Sequence, residues 1–197
     1  MSTGQAAPPT TIARPAVRRA VPRRRVVAGW VAALVAAGVV GWWWSHPTAL
    51  AGNGFDMGMR HWTVGKTFYA AVTSPRPGEQ TGLRIHSASA TATVGEIEQP
   101  GATTIAFYVC THAPASDVQA MLMAGPTEIG QQCSSLVPAE GAAMSLGERP
   151  SQQLVMAVTP HRPGHVAIRD VTVTYSHRWQ RGTEVLAGLV TLEVATP

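Results

Sequence analysis

From Val26 to Trp44 the chain reads VVAGWVAALVAAGVVGWWW, nineteen residues without a charge or a strongly polar side chain. Wound as a helix at about 1.5 Å per residue, such a run reaches about 28 Å, close to the roughly 30 Å of a bilayer's hydrocarbon core. A helix buried in a water-soluble domain is normally amphipathic or shorter. The run therefore predicts one N-terminal transmembrane helix over residues 26–44. Trp42, Trp43 and Trp44 close it and Trp30 stands near its start, and indole rings favour the headgroup interface.

Charge sets the direction of that helix. The formal net charge is +4, but Arg14, Arg18, Arg19, Arg23, Arg24 and Arg25 all precede Val26 with no acidic residue among them. From Gly52 onward nine Lys and Arg face eleven Asp and Glu, a balance of −2. Basic flanks stay in the cytoplasm, so the N-terminus is expected inside and everything after Trp44 outside. Residues 1–25, rich in Ser, Thr, Pro, Ala and Arg, show no apolar periodicity and read as a disordered basic cytoplasmic tail. The part beyond the helix lacks the basic stripe of a nucleic-acid-binding domain, which excludes nucleic acid as a partner. Lipid bilayer is the expected partner, with an envelope protein as a second.

A competing signal sits just downstream. Ala49-Leu50-Ala51 before Gly52 fits the small-x-small pattern of a signal-peptide cleavage site, and Arg23-Arg24-Arg25-Val26-Val27 faintly resembles a twin-arginine export signal. The apolar run exceeds the usual signal core of about 7–15 residues, so an uncleaved signal anchor is the first reading. Secretion after cleavage following Ala51 is the alternative. Both place the remaining chain across the membrane.

Residues 45–61 are expected as a linker, with Gly52-Asn53-Gly54 a flexible joint, and residues 62–197 as an extracytoplasmic domain. Trp62 to Thr73 is aromatic and β-branched and stops at Ser74-Pro75-Arg76-Pro77-Gly78. Leu83 and Ile85 with Thr91 to Val94 suggest a second strand. Thr103 to Cys110, Leu154 to Val158, Val166 to Tyr175 and Val185 to Val194 suggest four more. In Val166–Tyr175 the side chains of Val171, Val173 and Tyr175 share one face and Thr172 and Thr174 the other. Ala113 to Met123 is expected to hold a helical turn or two, with Asp117 a cap. Short strands between Gly/Pro turns predict an all-β fold, an antiparallel β-sandwich. The pattern resembles immunoglobulin-like extracytoplasmic domains in general. The buried Trp between two sheet-bridging cysteines that marks antibody domains is absent.

Cys110 and Cys133 are the only cysteines. Outside the membrane, an even pair predicts a disulfide, worth about 3 kcal/mol by chain entropy.

Few residues suggest chemistry. Met57, Met59 and His61 lie at i, i+2 and i+4, so one face of an extended strand would carry two thioethers and an imidazole, a soft set suited to copper. Met121 and Met123 repeat the spacing, though methionines more commonly fill gaps in a core. His161 and His165 flank Arg162-Pro163-Gly164, which dictates a turn; His86 and His112 stand alone. Glu96 and Glu98 would share a strand face, as charges on a sheet edge often do. No G-x-S-x-G, S-x-x-K, HExxH or glycine-rich phosphate loop occurs. Arg178-Trp179-Gln180-Arg181-Gly182 is the most distinctive surface motif, because Trp and Arg dominate binding hot spots. A Trp capping the end of the sandwich is the structural alternative.

The sequence thus predicts a single-pass cell-membrane protein with an extracytoplasmic β-sandwich and a non-catalytic binding or envelope-assembly role. No cofactor is expected, no catalytic residue is identified, and oligomeric state leaves no mark in the sequence. The alternatives are an exported copper-binding domain using Met57, Met59 and His61, and an enzyme of unrecognised type.

Overall fold

The alternation around Val171, Val173 and Tyr175 lies in the central strand of a larger sheet in a computed structural model, which describes residues 23–76, 82–95, 97–99, 101–113, 123–147 and 150–196. In chain order the elements are α1 (Arg23–Ser45), β1 (Phe55–Thr63), β2 (Phe68–Ala71), β3 (Gly82–Val94), β4 (Ile97–Glu98), β5 (Thr103–His112) and β6 (Met123–Ala124). After them come α2 (Pro126–Gln132), β7 (Cys133–Pro138), β8 (Ala143–Ser145), β9 (Gln152–Pro160), β10 (Gly164–His177) and β11 (Gln180–Ala195). The chain divides after Val39 into two units. The tail expected over residues 1–25 falls almost wholly outside the described residues.

The described side chains of α1 run from Gly29 to Ser45. Those of Trp30, Val31, Leu34, Val35, Val39, Val40, Trp42, Trp43 and Trp44 are all more than half exposed. Among the described residues, no helix is long and apolar enough to cross a membrane.

The strands form two sheets, as the alternating sequence predicts. The first runs β1-β11-β10-β3-β4, with β8 pairing β3; the second runs β6-β2-β9-β5-β7. Between them lies one core. Val166, Ile168, Val171, Val173, Tyr175, Leu186, Val190 and Leu192 come from the first sheet, and Phe68, Val109, Leu154, Met156 and Val158 from the second. Strand β9 is buried on both faces. Its outward Val155 joins Ala71, Cys110, Ala124, Ile129 and Cys133 in a smaller cluster beneath α2.

Four features depart from the sequence expectation. The sheets are not wholly antiparallel, because β1 pairs β11 in parallel from Phe55↔Gly188 onward. The chain leaving α1 enters at the end where β11 begins, so both strands run away from that end. Second, residues 45–61 do not form a linker. Pro47 and Leu50 are buried and β1 already starts at Phe55. The Gly52–Gly54 joint is tied down as well: the side chain of Asn53 donates to the Leu50 carbonyl and accepts from the Ser74 amide.

Third, Trp62–Thr73 is not one strand. Gly65, at φ +79, turns the chain from the first sheet into the second, a left-handed conformation that glycine adopts without a Cβ penalty. Finally, a helix that the sequence reading does not anticipate occurs at Pro126–Gln132; the helical turn expected at Ala113–Met123 has its middle, residues 114–122, outside the described residues. The start of α2 is legible in hindsight. Pro126 opens the first turn and Glu128 reaches back to accept the Gly125 amide at 2.7 Å.

Candidate functional site

The β10–β11 hairpin turns through Arg178 and Trp179, between the paired His177 and Gln180. Arg178 has φ +55. A two-residue hairpin of this hand wants a positive φ at its first central position, where glycine is unstrained and a side chain costs roughly 1 kcal/mol. Trp179 follows, 44% exposed. Its ring packs edge-on against Trp43 at 4.6 Å and Trp44 at 5.4 Å, each such pair worth about 0.5–1.5 kcal/mol beyond area burial. Gln180 Nε2 donates to the Trp43 carbonyl at 2.9 Å, and Trp42 stacks on His46 at 4.6 Å. All of these residues belong to the second unit.

Glycine makes this approach possible. Gly182 lies opposite Tyr175 in the hairpin register, and a Cβ there would overlap the Ser45 carbonyl and the Pro47 ring. The chain leaving α1 therefore rests on bare backbone. One turn later Leu50 is fully buried in the core. Its amide donates to both Tyr175 Oη and Glu184 Oε2, each at 3.3 Å. Burial, and then the hydrogen bond to Glu184, hold the Tyr175 phenol well above its ordinary pKa. At the hairpin end, partial burial and the neighbouring Arg178 cation lower the pKa of His177.

Three exposed arginines mark this end of the sheet, with exposed Glu140 on the turn between β7 and β8 beside Ile85. Ser176 pairs with Arg181 on one side and Arg84 on the other, so both exposed guanidinium side chains stand on the outer face of the sheet. His86 meets the Ser176 hydroxyl at 3.2 Å between them. Of the carboxylates on β10 and β11, Glu184 is nearest the turn and is engaged by Tyr175 at 2.6 Å. Asp170 and Glu193 lie toward the opposite end. Arg178, Trp179 and Arg181 are thus exposed together at the hairpin end.

The structure brings Arg178, Trp179 and Arg181 together, but Trp179 is partly covered and packs on Trp43 and Trp44. The period-two alignment of Met57, Met59 and His61 is broken. Met57 and Met59 pack against the core, whereas a bulge between Met59 and Trp62 leaves His61 exposed at φ +61. The extra residue of a bulge destroys the i, i+2, i+4 alignment. Among the described residues, no group of three or more His, Cys, Asp or Glu could hold a metal ion.

His161 Nε2 meets the Thr104 hydroxyl at 2.7 Å, and His165 is exposed at the start of β10. Buried His112 meets Gln153 Oε1 at 2.8 Å through Nε2. Glu98 is exposed on β4, and Met123 lies in β6; Glu96 and Met121, their expected partners, lie outside the described residues. Cys110 and Cys133 form the expected disulfide, with Cα atoms 5.5 Å apart. It joins β5 to the start of β7 within one sheet. Sequence reasoning missed Leu50, Tyr175, Gly182 and Glu184 as a group, because their association depends on strand register.

No protein-family model matches the chain. No curated protein is significantly similar to it. Among solved structures, a family 123 glycoside hydrolase from Clostridium perfringens aligns at TM-score 0.34 and 8% identity, over 73% of this chain and 23% of that one. The chain thus spans about a quarter of that enzyme's length, and the likeness is too weak to bear on fold or activity.

Proposed function

We propose that the chain is a single-pass, membrane-anchored protein carrying an extracytoplasmic β-sandwich, with a non-catalytic binding or envelope-assembly role. The observation that carries this reading is the exposure of α1. A helix that presents Val, Leu and Trp all round, with no polar face, is unfavourable in water; each such side chain gains about 1.5–3 kcal/mol on burial. The apolar run of the sequence begins at Val26, three residues before the first described side chain, and its full length matches a bilayer. The six arginines before it support a cytoplasmic N-terminus.

Retention of the anchor is favoured by the position of Leu50. Cleavage after Ala51 would remove a fully buried core residue, together with the amide that bridges Tyr175 and Glu184. The domain packs around the very segment that processing would discard.

The immunoglobulin-like character of the sandwich belongs to the same proposal. Taking β1, β2, β3, β5, β9, β10 and β11 as seven strands A to G, the sheets contain B-E-D and G-F-C in that order, as in immunoglobulin domains. Strand A lies beside G instead of B.

Protease added to spheroplasts and intact-mass analysis of the carbonate-resistant membrane fraction test the reading. The expected result is external loss of the domain, a protected fragment containing α1, and full-length mass before digestion. A mature protein starting at Gly52, or a domain protected inside the cell, would overturn it.

A further inference from the structure

We infer that the β10–β11 hairpin tip is a second bilayer contact, resting on anionic lipid headgroups beside the end of α1. The inference rests on the membrane-anchor reading and adds a surface and a ligand to it. Three observations carry it.

The first is continuity. Trp179 packs on Trp43 and Trp44, and in the anchored protein those two residues lie at the outer headgroup level. A side chain 4.6 Å from Trp43 shares that level, because the interfacial zone is several ångströms deep on each side of the hydrocarbon. Trp179 thereby joins an aromatic belt contributed by two distant parts of the chain.

The second is charge. Arg178, Arg181 and Arg84 are exposed at this end of the sheet; the nearest hairpin carboxylate, Glu184, is turned to Tyr175 and Leu50, and exposed Glu140, on the turn beside Ile85, flanks Arg84 and not the hairpin tip. Guanidinium groups bind phosphate oxygens in a bidentate fork, so phosphodiester headgroups of acidic phospholipid fit the surface.

The third is the backbone at Arg178. At φ +55 the fold alone favours glycine, which adopts that conformation freely. Arginine there sacrifices local stability and places a guanidinium at the outermost point of the hairpin.

The test uses the full chain in nanodiscs of phosphatidylcholine, or of phosphatidylcholine with one-third phosphatidylglycerol, read by amide hydrogen exchange. Amides of residues 177–182 are expected to exchange more slowly in the acidic discs, by about fivefold for each engaged arginine. The difference should disappear in 1 M salt. In R178G/R181Q it should vanish while thermal stability is kept or raised, since R178G relieves the positive-φ strain.

Equal exchange in both kinds of disc, with the chain still embedded, overturns the lipid contact and leaves the anchor reading standing. A chain that fails to enter discs and is released by carbonate overturns the anchor reading and the lipid contact with it. Protection of the tip in native membrane vesicles but not in acidic discs assigns this surface to a membrane protein instead and likewise overturns the inference.

Discussion

The hydroxyl of Tyr175 donates a 2.6 Å hydrogen bond to Glu184 Oε2 across the β10–β11 pair, and the backbone amide of Leu50 donates to both oxygens. Three parts of the chain are pinned at one point: two strands of the hairpin and the segment descending from α1. The phenol must be protonated to make this bond. Its raised pKa is therefore linked to folding, and the sign is fixed. The folded protein holds the proton at pH values where an unfolded tyrosine, near pKa 10, has released it. Stability should be complete below about pH 10 and fall as pH rises above it. Tyr175→Phe should cost about 1–3 kcal/mol at neutral pH and flatten the alkaline decline. Urea unfolding between pH 7 and 11 measures both, and an equally steep decline in the variant would refute the assignment.

Leu50 should behave as a core residue despite preceding the first strand. Leu50→Ala is expected to destabilise the domain by about 2–5 kcal/mol, the range for cavities left in a packed interior. A flexible linker position would lose less than about 0.5 kcal/mol. Chemical denaturation of the full chain in detergent distinguishes the two.

Gly182→Ala should displace the chain that rests on β11, because the new methyl group would occupy the space of the Ser45 carbonyl and the Pro47 ring. Overpacking of this kind costs about 1–3 kcal/mol. Trp43 and Trp44 should move with the segment, so near-UV circular dichroism from the tryptophan cluster should weaken. Gly82→Ala is the control: a Cβ there meets nothing within 4 Å, and both signals should remain.

The Cys110–Cys133 disulfide closes a separation of 23 residues and should contribute about 3 kcal/mol. It lies over the outer face of the second sheet with Ile129 of α2. Reduction should lower the melting temperature and loosen α2 before the sandwich interior. Neither cysteine should react with iodoacetamide before a reductant is added; labelling of both in the untreated protein is the contrary result.

How much of this was legible in the sequence depends on the range of the interaction involved. Alternation of Val171, Val173 and Tyr175 against Thr172 and Thr174 specified a half-buried strand because side-chain direction in a pleat has a period of two. The all-β class followed from several such runs separated by turn residues. The disulfide followed from an even pair of cysteines in the expected oxidising compartment. The Met57-x-Met59-x-His61 alignment failed by the same logic: period-two reasoning holds only while the pleat is unbroken, and a bulge before Trp62 adds a residue that no local composition announces. Trp179 was legible as a surface feature, but not as a neighbour of Trp43, 136 positions earlier in the chain.

By itself, then, the sequence determined what depends on neighbouring residues: the uncharged run and its arginine flank, the strand-forming segments, the available thiol pair. Tertiary structure alone decided where the chain enters the sandwich, that β1 lies parallel to β11, and that Leu50 belongs to the core. It also decided that Gly182 leaves room for Pro47 beneath a tryptophan cluster. These depend on register between strands distant in sequence, and register is selected by the simultaneous burial of both apolar faces, an energy that exists only once the two sheets have met.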